Sequence, residues 1–556
     1  MNVWHSLLMI FLFLSGCSEI PMSQANWKTL SNPNATIGYQ DLAPLLNQAH
    51  HHQAKGLTRA IQNIEDEALI HAHLALLNHD YTAAHHHLQS TIVTPRNPLE
   101  TQLFFDVYRK SHHVIQALWY ADAQQGANLL DLQPISALQK LPPFNEETSL
   151  WRDLFLTLKN HQQSPEHFYE QLSAFKKEHP SHPATQLLTL TQPISSETMV
   201  KMGVLLPLSG PMSEVGQSIR EGIMAAHFNH PLNKNWTLIF FDTHPTPLSE
   251  ILRSGQNNKI THWIGPLDKV SAQAFTRIAP NSDNILLLNS VDSQPPLTRS
   301  FTISPEYEAT QVSDHLIKNG YHNIMIIEGH HPWSARQVEA FTQAFTRQGG
   351  HIVEKKKLSE HYAKDIKELL RIPDSRQAYQ QLQTQTRSPI KFLASSRQDI
   401  DAIFLATSHE EALQVKPLLK LNLTQSYVPI FATSSIISDR SAVHKNKDLD
   451  DIIFCDTMIP SSRPSASVLE SNISALMNEL QSTHSKAFPD FQRFYALGID
   501  AYHLQLYKHY MDSVPSIGIP SASGKRLIRQ GNQIKTELYW GKYRQGRQVN
   551  ITHELD

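Results

Sequence analysis

The 556-residue chain has only two cysteines, too few for a disulfide-stapled scaffold or a cysteine-based zinc cluster. It has no charge excess. Its 48 Lys+Arg stand against 51 Asp+Glu, and a formal net charge of -3 excludes a polybasic nucleic-acid binder. It lacks the repeated long apolar runs of a polytopic membrane protein, and its mean hydropathy is -0.35. It contains no G-x-S-x-G, no P-loop lysine, no G-x-G-x-x-G and no H-E-x-x-H. No spaced carboxylate pair suggests cleavage of a glycan strand. The expectation is a protein that is not an enzyme and carries no cofactor. What is present is a globular composition, 40% apolar and 18% charged, with length enough for two or three domains.

The one long apolar stretch is N-terminal. Leu7 to Leu14 is uninterrupted, and Leu14-Ser15-Gly16-Cys17 follows directly. Eight apolar residues span roughly 12 Å as a helix, short of the ~20 residues needed to cross a bilayer, but they suit the core of an export signal. The segment resembles the lipobox of bacterial lipoproteins, although Met1 to His5 contains no Lys or Arg. The resemblance implies removal of residues 1–16, lipidation of Cys17 (palmitate among its acyl chains) and a tether over 17–25. Ser18 after the cysteine implies the outer membrane. Cys455, in the apolar run Ile452-Ile453-Phe454-Cys455, then reads as a buried structural thiol.

Residues 26–195 carry helical periodicity. Glu67 to Leu77, a polar turn at Asn78–Asp80, and Tyr81 to Leu88 resemble a tetratricopeptide-like (TPR-like) hairpin without its turn glycine. Leu103–Ala121, Leu150–Leu158 and Pro165–Lys177 read as further helices, the last starting on Pro165. Such a helical repeat serves as a spacer or as a partner-docking groove. The 32 histidines are the compositional outlier, with triplets at His50-His51-His52 and His85-His86-His87. Adjacent helical residues point about 100° apart, so a triplet cannot chelate by itself. The expectation is a histidine-rich surface and no metal site.

The pattern changes near Met199. Val200–Leu208, Thr237–Phe241, His262–Ile264, Asn284–Asn289 and Asn323–Glu328 read as short buried strands alternating with helices. One helix covers Val215–Phe228 with small residues Gly222, Ala225 and Ala226. Another, Ala309–Lys318, is closed by Gly320. Alternating elements predict parallel, doubly wound sheets, and residues 200–556 require two lobes. Asp450-Asp451 and Lys355–Lys357 read as solvated faces.

Leu206-Pro207-Leu208-Ser209-Gly210-Pro211, with Gly216, Gly222 and Trp263-Ile264-Gly265-Pro266, resembles the opening of type I periplasmic binding proteins. Further strings are similar to the LpoA family of penicillin-binding protein activators. They are Phe301 to Glu306 with Glu308-Ala309, Arg397 to Phe404, Ala432-Thr433-Ser434-Ser435, Phe454-Cys455-Asp456 and Arg493 to Tyr502. The resemblance implies an α and α/β multidomain fold, with a TPR-like domain followed by a two-lobed binding-protein-like domain. It also implies an outer-membrane lipoprotein facing the periplasm, which binds and activates a class A penicillin-binding protein and so regulates peptidoglycan synthesis and cell shape. The alternative is a lipid-anchored solute-binding protein for amino acids or similar anions. Amino-acid-binding relatives carry Ser or Thr three residues after Gly-Pro, where this chain has Lys269. The candidate cleft ligands are therefore Ser209, Lys269 and Ser271.

Overall fold

The computed structural model describes residues 39–47, 63–89, 95–142, 145–160, 165–191, 199–279, 284–291, 298–386, 392–425, 428–437, 445–457 and 467–552. Cys17, the apolar segment before it and His50–His52 lie outside these residues. The chain divides into two compact units, 1–161 with 168–190, and 162–167 with 191–556.

The first unit is helical. Its described helices are α1 (Tyr39–Asn47), α2 (Ile64–Leu77), α3 (Tyr81–Gln89), α4 (Pro98–Lys110), α5 (Val114–Trp119), α6 (Ala123–Asp131), α7 (Ile135–Lys140), α8 (Glu146–Asn160), α9 (Pro165–Glu178) and α10 (Leu187–Leu190). The hairpin expected from the sequence is α2 with α3. Asn63 caps α2 by accepting from the Glu65 amide, and Ala84 is fully buried between the packed helices. His79 takes the left-handed conformation (φ 60) that a turn glycine would adopt. Leu103–Ala121 is not one helix. The chain breaks at Ser111–His113, where the Ser111 hydroxyl donates back to the Val107 carbonyl and His112 turns left-handed (φ 63).

The histidines are less superficial than composition suggests. His73, His182, His227, His262, His409 and His503 are buried. Within the second triplet only His86 is exposed. His85 stacks on His113 at 3.9 Å and His87 on His71 at 5.3 Å. Burial and then the neighbouring imidazoles hold His85 and His87 below the usual histidine range. The expected solvated triplet is thus corrected: two of its three rings are packed pairwise.

The second unit contains β1 (Val200–Leu206), α11 (Ser213–Asn229), β2 (Trp236–Asp242), α12 (Leu248–Asn257), β3 (His262–Ile264), α13 (Lys269–Ile278), β4 (Ile285–Leu287) and β5 (Arg299–Phe301). It continues through α14 (Pro305–Lys318), β6 (Asn323–Glu328), α15 (Pro332–Arg347), β7 (His351–Lys357), α16 (Tyr362–Leu369), α17 (Ile372–Thr386), β8 (Ala402–Ala406), α18 (His409–Asn422), β9 (Ile430–Ala432) and β10 (Ile453–Asp456). It closes with α19 (Val468–Thr483), α20 (Phe488–Leu506), α21 (Lys508–Ser513) and β11 (Ile519–Pro520), then β12 (Arg526–Gln530), β13 (Gln533–Glu537), β14 (Tyr539–Arg544) and β15 (Arg547–Asn550).

Two sheets form two lobes, in the orders β11-β12-β13-β5-β4-β3-β1-β2 and β15-β14-β10-β9-β8-β6-β7. The cores of both are parallel, and in each the order reverses at the first strand, β1 or β6, as in doubly wound folds. The sheets are not parallel throughout. Antiparallel hairpins β12–β13 and β14–β15 border them, turning at Gly531 (φ 60) and at Gln545-Gly546 (φ 53 and 74). Lys355–Lys357 lies on edge strand β7, where charge blunts unwanted pairing. Lys356 is not simply solvated: it bonds Glu368 at 3.0 Å. Asp451 likewise pairs with Lys542 at 3.0 Å.

Helix α11 lies directly on α20. A Cβ built on Gly222 would stand 2.1 Å from the Tyr495 carbonyl oxygen, and one on Gly498 would stand 2.2 Å from that of Ile219. These contacts are to backbone, which cannot rotate away. Gly222→Ala is therefore expected to lower the unfolding free energy of the α/β unit by about 3 kcal/mol, read by chemical denaturation. Ala225→Ser on the same helix serves as the mild control.

Two histidines along this helix pair make stability pH-dependent. Burial, reinforced by the positive charge of His230, pushes His503 down to about 3. Burial, then His227, pushes His230 down to about 4. Unfolded histidines take up protons near pH 6.5 while these two do not. Their stabilising effect is complete above pH 6.5 and is lost as pH falls towards 4. Each costs up to about 1.4 kcal/mol per pH unit in that window. Denaturation at pH 7 and pH 5 should show this loss, and His503→Gln should flatten it.

Candidate functional site: the inter-lobe junction

The chain crosses between lobes after β5, after β10 and after β13. Polar side chains meet at these crossings. Glu308, in the first turns of α14, is 2% exposed. Ser304 starts that helix as N-cap and Pro305 takes its first position. Glu308 Oε2 accepts from the Ser434 amide at 3.0 Å and the Ser434 hydroxyl at 2.6 Å. Arg493, on the first half of α20 in the other lobe, donates Nη1 to Glu308 at 3.0 Å and Nη2 to Asp456 at 2.9 Å. Asp456 ends β10, is 4% exposed, and also accepts from the Thr457 amide at 2.7 Å. Burial pushes the Glu308 carboxyl up, and Arg493 and Ser434 pull it back.

Gln311 ties the third crossing. Its Nε2 donates to the Thr536 carbonyl at 2.6 Å, and its Oε1 accepts from the Leu538 amide at 3.1 Å. Asp500 is fully buried and holds the β11–β12 corner. It accepts from the Ala522 amide at 2.7 Å, the Ser523 amide at 2.9 Å and the hydroxyls of Ser521 and Ser523. Burial raises its carboxyl to about 6 despite those bonds. Cys455 is fully buried as expected, its thiol pushed well up by burial.

A cavity of about 960 Å³ opens beside Arg493. Its walls are the ends of β9 and β10, the starts of α14 and α15, and the α19–α20 corner. The lining includes none of Ser209, Lys269 and Ser271. Ser209 follows β1 and bonds Asp242. Lys269 is exposed at the first position of α13, and the Ser271 amide donates to the N-cap Asp268 at 2.8 Å. Among the described residues no three His, Cys, Asp or Glu side chains converge on a metal position.

Three of the chain's own carboxylates occupy strand-end amides that could otherwise hold an anionic ligand. Asp242 accepts from the amides of Leu208 and His244 at 3.0 and 3.1 Å. Burial opposes its ionisation, but these bonds and Ser209 hold it below the usual range. Asp268 fills the start of α13. Glu411 accepts from the amides of His330 and Ser408, both at 2.8 Å, where the order of the second sheet reverses. Burial opposes ionisation there too, yet the bonds keep Glu411 low. Gly329 permits this approach, since a Cβ there would stand 2.3 Å from Glu411. The Ser408-x-x-Glu411 capping box is readable in the sequence, whereas the long-range partners of Asp242 and Glu411 are not.

The LppC lipoprotein family model matches residues 62–546. The chain belongs to the LppC lipoprotein family. Over 387 residues it is 28% identical to a Vibrio antiquarius protein named penicillin-binding protein activator LpoA, covering 67% of this chain and 62% of that one. It is 24% identical to the like-named protein of Photobacterium profundum, covering 73% and 67%. The match therefore spans about three fifths to two thirds of the length of these relatives. Crystal structures of Haemophilus influenzae LpoA share the fold at 18% identity. One has a TM-score of 0.54 with 92% and 93% coverage, and the full-length form has 0.53 with 95% and 100%. The chain thus shares the LpoA fold, with a helical unit followed by a two-lobed α/β unit.

Arg493 is the only cation among the described residues lining the junction cavity. Arg493→Met would leave Glu308 and Asp456 buried without their partner, an expected loss of about 3–5 kcal/mol in the unfolding free energy. Adding Glu308→Gln should recover part of it. A double-mutant cycle by denaturation measures the coupling.

Proposed function

We propose that this LppC-family protein is an outer-membrane lipoprotein that binds a class A, bifunctional penicillin-binding protein from the periplasmic side and activates peptidoglycan synthesis. In this reading residues 1–16 are the export signal, Cys17 carries the lipid and 17–25 is the tether. The protein acts by contact and not by catalysis. The observation that carries the reading is a family match running from residue 62 to 546, through both units, to relatives named as activators. A bound activator shifts its enzyme only by the amount it prefers the active conformer, so a well-defined docking body suits the task.

The solute-receptor reading is disfavoured by Asp242, Asp268 and Glu411, which already take the strand-end amides an amino-acid carboxylate would need. The three polar ties across the lobe crossings also work against opening and closing around a cargo.

The soluble chain 18–556, immobilised and exposed to membrane extract, should retain a glycosyltransferase–transpeptidase and speed its glycan cross-linking. Recovery of no wall synthase would overturn the proposal. Cys17→Ser should abolish outer-membrane fractionation, and unchanged fractionation would refute the lipid anchor.

A further inference from the structure

Helix α3 is held by stacked histidines on two sides. His87 stacks on His71 of α2, with ring centroids 5.3 Å apart. His85 stacks at 3.9 Å on His113, the N-cap of α5 at the α4–α5 turn. Tyr108 of α4 stands edge-on to His85 at 5.4 Å. The run His85-His86-His87 thus meets an imidazole across each of two seams, with only His86 exposed. His85 Nε2 is buried and has no hydrogen-bond partner among the described residues, so a proton added to that ring finds no acceptor there.

Few carboxylates are placed to balance these rings. On the neighbouring helices Glu65, Asp66 and Glu100 pair with Arg96, and Asp106 pairs with Arg109 at 3.1 Å. Glu67 stands 3.8 Å from His71, and Asp80 accepts from the Ala83 amide at 3.0 Å at the start of α3. His73 lies two residues, about 200°, round α2 from His71 and bonds Tyr39 of α1 at 3.0 Å, so α1, which carries Asp41, covers the opposite face of α2. The joining segments 48–62 and 90–94 contain no Asp or Glu, and the first of them carries His50-His51-His52, Lys55 and Arg59. Residues 1–38 carry Glu19 as their single carboxylate. Glu67 and Asp80 are left facing four stacked rings.

We propose that α3 is an acid-released element of the helical unit: neutral rings hold it to α2 and to the α4–α5 turn, and protonation of both members of each stack drives it off by like-charge repulsion. Two imidazolium rings at stacking distance repel, whereas two neutral rings pack. Burial and then the neighbouring rings already hold His85 and His87 below the usual histidine range. Unfolded histidines take up protons near pH 6.5. The contribution of the stacks is therefore complete above pH 6.5 and is lost as pH falls below it. The device lies in the other unit from His230 and His503 and does not involve synthase binding, so either proposal can fail while the other stands.

The test is hydrogen–deuterium exchange on the soluble chain 18–556 at pH 7 and pH 5, with exchange times scaled to the intrinsic amide rate at each pH. Peptides covering Tyr81–Gln89 should lose about tenfold in protection at pH 5 and regain it on return to pH 7. His85→Phe with His87→Phe keeps the rings and removes the protons, and its α3 should be equally protected at both pH values. His71→Phe with His113→Phe leaves α3 itself untouched and should lessen the fall, with circular dichroism at pH 7 reporting the fold of each variant. Unchanged protection of α3 at pH 5 in the native chain would overturn the proposal. So would an undiminished fall in either phenylalanine pair.

Discussion

The Arg493 guanidinium joins the two lobes of the α/β unit, and much of the unit's architecture serves to bring it into position. It bonds Glu308 and Asp456, each nearly buried and each next to a separate chain crossing. A carboxylate taken out of water is tolerable only when paired and hydrogen-bonded. Glu308 meets both conditions through Arg493 and Ser434. Helix α20 delivers the guanidinium, and the Gly222–Gly498 contact sets its depth against α11. Further along α20, Asp500 anchors the β11–β12 corner. One helix thus fixes the lobe junction, the packing of the first lobe and the attachment of its antiparallel border.

That dependence explains why some features were legible in the sequence and others were not. Strands β1 and β6 and helices α11 and α14 follow from local periodicity, Pro and Gly placement, and capping residues, all contained within a few neighbouring positions. The strings from Phe301, Ala432, Phe454 and Arg493 were readable as marks of a family, but their joint role was not. Glu308 and Arg493 are 185 positions apart, and no pattern of spacing encodes that they touch. The antiparallel borders were missed for a different reason. Their turns at Gly531 and Gln545-Gly546 are ordinary hairpin signals, overshadowed by the parallel pattern of the preceding strands. The histidines misled in the opposite direction: composition suggests surface, whereas His227 and His503 are core residues of a helix pair.

Around the candidate ligands Ser209, Lys269 and Ser271, and at the matching turn of the second sheet, the positions that favour an anion are taken by the chain's own carboxylates. Helix starts and strand-end turns expose amides that favour negative charge. In a receptor the cargo supplies that charge. Here Asp242, Asp268 and Glu411 supply it from within the chain. An internal carboxylate is present at fixed geometry and cannot be diluted away, so these amides contribute to stability. The same atoms that would make a binding site make a structural cap.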